Sequence, residues 1–233
     1  QIGYGVGVDE IYNVSKKLGF TELSGIEISE QENVGLVASS QWAKDGRGWG
    51  EPGKTPWVPE DIASMAIGQF VVQVTPIQIA RAYAAIANGG YLVTPHLSKE
   101  GQLISNQNRI KIDIDPNHIQ LVKNGLRKVV ESGTGVSINY GVSNLPPVSG
   151  KTGTAEKSEV GGYSRKKFNT FASIFPASNP RYSLIVMLDE PKTNREYIYN
   201  YRDGSGIKYK GTPLNTAGLS LIHISEPTRQ WSI

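Results

Sequence analysis

Hydrophobic positions recur at helical spacing through the first two thirds of the chain and at strand spacing after it. Ile11, Val14 and Leu18 follow Asp9-Glu10 at intervals of three and four, and Gly19 closes the run, which predicts a short amphipathic helix over 9–18. A stronger signal covers 76–88. Thr75 stands at the cap, Pro76 suits the first helical position, and Gln78 completes a Thr-x-x-Gln capping box. Ile79, Ala80, Tyr83, Ala84 and Ala87 supply its apolar face, and Asn88-Gly89-Gly90 ends it. A further helix is predicted over about 116–131, with Ile119, Val122, Leu126 and Val129/Val130 on one stripe and a stop at Ser132-Gly133. Beyond 145 the period changes. Thr170–Phe175 and Tyr182–Leu188 are β-prone, the turn-rich Pro176–Pro180 link suits a hairpin, and Val148–Thr154 reads as a third strand beside them. Helices followed by antiparallel strands argue for an α+β fold.

The stretch 30–60 reads as loop, with Trp42, Trp49 and Trp57 among glycines and prolines; tryptophans there either pin a long loop to the body or form a binding ledge. A net charge of +3, with no basic run interleaved with aromatics, gives no case for nucleic acid. The absence of cysteine removes thiolate metal sites, cysteine nucleophiles and disulfides. His96, His118 and His223 lack ligand spacing, so neither a metal nor a cofactor is called for. Nothing in the chain approaches the about 18 apolar residues of a membrane span.

The informative segment is Gly150-Lys151-Thr152-Gly153-Thr154-Ala155-Glu156-Lys157. Gly153 removes a side chain where an extended substrate would lie against a strand edge. Lys151 offers a cation, and Thr152 and Thr154 offer short hydroxyl donors, a set suited to a terminal carboxylate at the end of a peptide. The tripeptide alone also describes a glycine-broken edge strand with a solvated lysine.

Its surroundings extend the motif. Ala66-Ile67-Gly68-Gln69 leads into Val74-Thr75-Pro76-Ile77-Gln78-Ile79-Ala80 and ends in Ala87-Asn88-Gly89-Gly90, followed by Tyr91–His96. Gly125–Val130 and Gly133-Thr134-Gly135 then precede Lys-Thr-Gly. Over about 1–218 this resembles the transpeptidase domain of class B high-molecular-weight penicillin-binding proteins, with Phe70 where a glycine is common. The resemblance implies an antiparallel sheet with helices on both faces, as in the serine β-lactamases, incomplete here at both ends. It also implies a serine that attacks the D-Ala-D-Ala stem peptide of peptidoglycan, or a β-lactam, with an amine of a neighbouring strand taking the acyl group. By motif position, Lys151 would set local positive potential and support proton traffic. Thr152 and Thr154, with Gly153 between them, would hold the carboxylate, and the backbone N–H of Thr154 would form half of the oxyanion hole. The implied place is the outer face of the bacterial cytoplasmic membrane, through an N-terminal anchor outside this sequence, beside other proteins of the cell-wall synthesis complex.

The nucleophile is absent. Ser-x-x-Lys occurs as Ser164–Lys167 and Ser205–Lys208, both after Lys151, whereas the family places its serine well before Lys-Thr-Gly at the start of a buried helix. Ser164 reads as loop, Ser205 stands between glycines, and Ser137-x-Asn139 only imitates the second family motif. The expectation is a C-terminal part, inactive alone, beginning just downstream of the true second motif. Asn169–Ser173 and Val186–Pro191 lean toward the division-type branch, Ile67-Gly68-Gln69 and the Trp-rich loop toward the elongation type; division is favoured. A serine β-lactamase and a non-catalytic β-lactam receptor or scaffold are the alternatives. Finally, Leu219–Arg229 resembles the translation of a transposon-end sequencing adapter, so 219–233 is expected not to be native.

Overall fold

The computed structural model describes residues 2–45, 57–99, 108–139, 146–159, 162–189, 196–200 and 206–210. Its elements are α1 (Ile2–Val6), α2 (Val8–Lys17), β1 (Leu36–Val37), α3 (Ser40–Lys44), α4 (Pro59–Ala66), β2 (Val72–Gln73), α5 (Pro76–Ala87), β3 (Tyr91–Leu92), β4 (Ile110–Lys111), α6 (Pro116–Ser132), β5 (Ser149–Glu159), β6 (Gly162–Phe175), β7 (Tyr182–Asp189), β8 (Glu196–Asn200) and β9 (Gly206–Lys210). Helices first and an antiparallel sheet last bear out the α+β expectation. No helix among the described residues is long and apolar enough to cross a membrane. The chain divides into two units, 1–119 and 120–233.

In the first unit α2 opens with Asp9 and Glu10 and closes with Lys16 and Lys17, which complements the helix dipole at both ends. Ile11 and Tyr12 pack with Trp57 and Ile62 against buried Val8, Val37 and Met65. Trp57 therefore pins its segment to the body. Trp42 lies in α3, where its backbone N–H donates to the Ser39 cap at 3.1 Å, and Trp49 falls outside the described residues. The stretch read as loop thus holds α3 and the start of α4, because Ser39 and Pro59 are helix-starting residues that the surrounding glycines and prolines masked. Phe70, the departure from the family pattern, has φ +70°, a left-handed backbone that explains why glycine suits this place.

The α5 capping box forms as expected. Thr75 Oγ1 accepts from the Gln78 N–H at 3.3 Å, and Gln78 Oε1 accepts from the Thr75 N–H at 2.9 Å. The buried face differs from the expected one: Gln78, Arg81, Ala82 and Ala85 lie deepest, while Ile79, Ala80, Tyr83, Ala84 and Ala87 are half-buried. The reason is hydrogen bonding. Gln78 Nε2 donates to the carbonyls of Glu22 (2.8 Å) and Val34 (3.0 Å), and Arg81 donates to the Val93 carbonyl (2.9 Å) and the Glu22 carboxylate (3.0 Å). Buried polar groups keep their place where they find hydrogen-bond partners of this kind. Burial also pushes the Tyr83 hydroxyl up to about 12. Its folded pKa lies above the ordinary tyrosine value, so the associated stability is complete below pH about 10 and is lost as pH rises toward 12. Denaturation midpoints followed through that window should fall more steeply for the parent than for Tyr83→Phe.

Along α6, Ile119 packs with Ala85, Leu92 and Ile112 in the first unit, and Leu126 and Val130 are buried further on. Val122, expected on the same stripe, is 46% exposed. At about 100° per residue it stands about 60° away from the line through Ile119, Leu126 and Val130. The helix ends in a glycine turn. The N–H groups of Gly133 and Gly135 both donate to the Val129 carbonyl, at 3.1 and 2.9 Å, and a Cβ on Gly133 would lie 2.9 Å from Val129 Cα. Only glycine fits there.

The second unit is built on a sheet of order β5–β6–β7, all antiparallel, as read from the sequence. The register sets Thr152 opposite Phe171 and Phe171 opposite Val186. Phe171 and Val186 form the core with Val130, Ile138 and Val148, and Leu184, Leu188 and Phe175 pack around them. β8 and β9 pair with one another.

Candidate active site

The candidate site lies on β5, which among the described residues pairs with β6 alone. Its position is over-determined by packing. A Cβ on Gly150 would lie 2.5 Å from Phe171 Cζ and 2.6 Å from the Ala172 carbonyl, and one on Gly153 would run into Thr170 Oγ1. Gly153 is therefore explained by the neighbouring strand as well as by the open edge. From the α6 side, Arg127 donates to the Val148 carbonyl at 2.9 Å and pairs with Glu131 at 2.8 Å, tying the helix to the entrance of β5.

Strand alternation separates residues that the motif places together. Thr152 and Thr154 share the sheet face of their cross-strand partners Phe171 and Asn169, whereas Lys151 and Gly153 belong to the opposite face. Lys151 Nζ donates to the Thr152 backbone carbonyl at 2.6 Å. Thr152 is 7% exposed, and its hydroxyl lies 2.7 Å from that of Thr134. One of these hydroxyls donates to the other, which leaves one proton of the pair for a ligand. Thr154 is exposed, and its hydroxyl points to Asn169 Oδ1 at 3.4 Å. Asn169 is fully buried. The arrangement offers one cation and two hydroxyls beside a strand edge, a set that can hold a carboxylate but contains no activated nucleophile.

The remaining sequence candidates stay apart from it. Ser164, expected in a loop, lies within β6, because the hairpin closes earlier, with Glu159 opposite Gly162. A strand interior is still not the start of a buried helix. Ser205 lies outside the described residues, as does the tail 219–233. Ser137 sits in the 3-10 turn Val136–Asn139 that follows the glycine turn. Two residues that the geometry brings in, Thr134 and Asn169, carried no role in the sequence reading. The available signal for Thr134 was a hydroxyl held between two glycines directly after a helix; Asn169 gave none beyond its place opposite Thr154.

Over residues 1–205 the chain matches the family described as the penicillin binding protein transpeptidase domain. The chain belongs to this family. It is 29% identical over 208 residues to the peptidoglycan D,D-transpeptidase MrdA of Haemophilus influenzae, which covers 81% of this chain and 31% of that protein. It is 34% identical over 140 residues to the peptidoglycan D,D-transpeptidase FtsI homolog of Mesostigma viride, covering 50% and 23%. Among solved structures, the penicillin-binding protein PBP2 of Helicobacter pylori, in its complex with MreC, superposes with a TM-score of 0.62 at 26% identity, covering 81% of this chain and 34% of that one. The fold is thus that of the penicillin-binding transpeptidases. The chain spans 23–31% of the length of these curated relatives. The preference for the division-type branch gains no support, since the MrdA name recurs among the relatives beside an FtsI homolog.

Proposed function

We propose that this penicillin-binding transpeptidase chain forms the Lys-Thr-Gly wall of a peptidoglycan D,D-transpeptidase that works through an acyl-serine and is blocked by β-lactams. The observation that carries the reading is the edge strand β5, with Lys151 Nζ drawn to the Thr152 carbonyl and both threonines on one face. The stem peptide adds along the edge as a further strand. Thr152 and Thr154 hold its terminal carboxylate, Lys151 supplies positive potential and proton traffic, and the Thr154 N–H serves the oxyanion. Gly153 keeps the approach open. The amine of a second stem peptide then takes the acyl group.

Within these residues the chemistry stops at positioning. No Ser-x-x-Lys precedes Lys151, so the chain as written is inactive, and the complete protein acylates on a serine outside it. A fluorescent penicillin, followed by denaturing electrophoresis and peptide mapping, tests this. The complete protein is expected to be labelled on an upstream serine and the 233-residue chain not at all. An adduct on Ser164 or Ser205 overturns the assignment, and an unlabelled complete protein favours a non-catalytic scaffold instead.

Division is our reading of Asn169–Ser173 and Val186–Pro191; filamentation on depletion supports it, and rounding refutes it. Partner proteins of the wall-synthesis complex at the outer face of the membrane fit the MreC complex of the Helicobacter pylori relative. Residues 219–233 are proposed to be foreign, and recovering Leu219–Arg229 from native DNA would refute that.

A further inference from the structure

We propose that Asn169 is a positioning residue for the reaction: when a carboxylate binds, its amide turns and donates from Nδ2 to the Thr154 hydroxyl, freeing that hydroxyl to donate its hydrogen bond to the ligand. The inference deepens the transpeptidase reading and rests on it.

Two observations on one side chain motivate it. Asn169 is 0% exposed, and among the described residues its Nδ2 has no hydrogen-bond partner. A buried amide donor left unpaired is costly and uncommon in a folded protein. The oxygen of the same amide faces Thr154 Oγ1 at 3.4 Å, long beside the about 2.7–2.8 Å of an ordinary O–H···O bond. A long contact to the Thr154 hydroxyl and an unused donor therefore share the two ends of one amide.

A hydroxyl carries one proton and accepts through its lone pairs. While Thr154 donates inward to Asn169 Oδ1, an anion arriving at the strand edge meets lone pairs. Rotating the amide by about 180° exchanges oxygen and nitrogen with almost no change in volume. Nδ2 then donates to Thr154 Oγ1, and the Thr154 proton turns outward to the carboxylate. The orphan donor is satisfied in the same step. The carbonyl oxygen takes its place inside, and an under-satisfied carbonyl is better tolerated than an orphaned N–H. Donation into the hydroxyl also polarises it, which strengthens its own bond to the anion. The register holds the pair in place, with Asn169 opposite Thr154 on β5 and Leu188 on β7.

The test uses the complete protein and compares acylation by benzylpenicillin with acylation by its methyl ester, which lacks the anionic carboxylate. Asn169→Leu should slow the free acid about tenfold and leave the ester within about twofold. Asn169→Asp, a side chain of the same size, should likewise slow the acid more than the ester. In the Thr154→Val background, Asn169→Leu should cost nothing further, since it acts through the hydroxyl already removed. Equal slowing of acid and ester, or additive losses in the double variant, overturns the proposal and reduces Asn169 to a packing residue. If the unsubstituted protein is not acylated by either compound, the transpeptidase reading fails first and this one with it.

Discussion

Thr152→Val, made in the complete transpeptidase, is expected to slow acylation by penicillin about ten- to a hundredfold. Valine has nearly the shape of threonine, so β5 keeps its pairing with β6 while the hydroxyl disappears. That hydroxyl lies 2.7 Å from Thr134 Oγ1 and is proposed to reach the ligand carboxylate. A lost hydrogen bond to a charged group is worth roughly 1.5–3 kcal/mol, which converts to the stated range if it is made fully in the transition state. Thr134 itself is exposed, so its hydroxyl turns to water at small cost when its partner is removed. Stopped-flow acylation with a reporter penicillin gives the number. A rate within about twofold of the parent removes Thr152 from carboxylate binding and leaves the Thr134 contact as a structural tie between the glycine turn and the sheet.

The second large effect is on stability. Phe171→Ala should destabilise the domain by about 3–5 kcal/mol, as expected for truncating a fully buried aromatic side chain. Phe171 is 0% exposed and stands on the middle strand, opposite Thr152 on one side and Val186 on the other. Val130 from α6 and Ile138 from the following turn belong to the same cluster. Its ring also fills the space beside Gly150, 2.5 Å from where a Cβ would stand, so the cavity opens directly behind the Lys-Thr-Gly strand. Urea denaturation of the complete domain measures the loss. A change below about 1 kcal/mol would mean that the site collapses around the missing ring and that β5 does not depend on it.

These expectations divide according to the range of the forces behind them. What the sequence determined by itself is local: the Thr75–Gln78 capping box, the extent of α6 up to its stop at Gly133, and the three strands with the turn-rich Pro176–Pro180 link. Each depends on residues within a few positions of one another, so the pattern is legible without the rest of the chain. The family-wide motif was legible for the same reason, as contiguous text from Gly150 to Lys157. What tertiary structure decided lies farther apart. Gln78 and Arg81 joined the buried face of α5 because carbonyls and a carboxylate from Glu22, Val34 and Val93 meet them there, and no hydrophobic count along the helix anticipates those partners. Ser164 became a strand residue because the β5–β6 hairpin closes between Glu159 and Gly162. Thr134 met Thr152 only because the glycine turn folds both its N–H groups back on the Val129 carbonyl. Asn169 met Thr154 through cross-strand register, which depends on how β5 and β6 pair rather than on either strand alone. A hydrogen bond across a sheet has no periodicity along the chain, and for that reason the residues that orient the two threonines were visible only once the strands were paired.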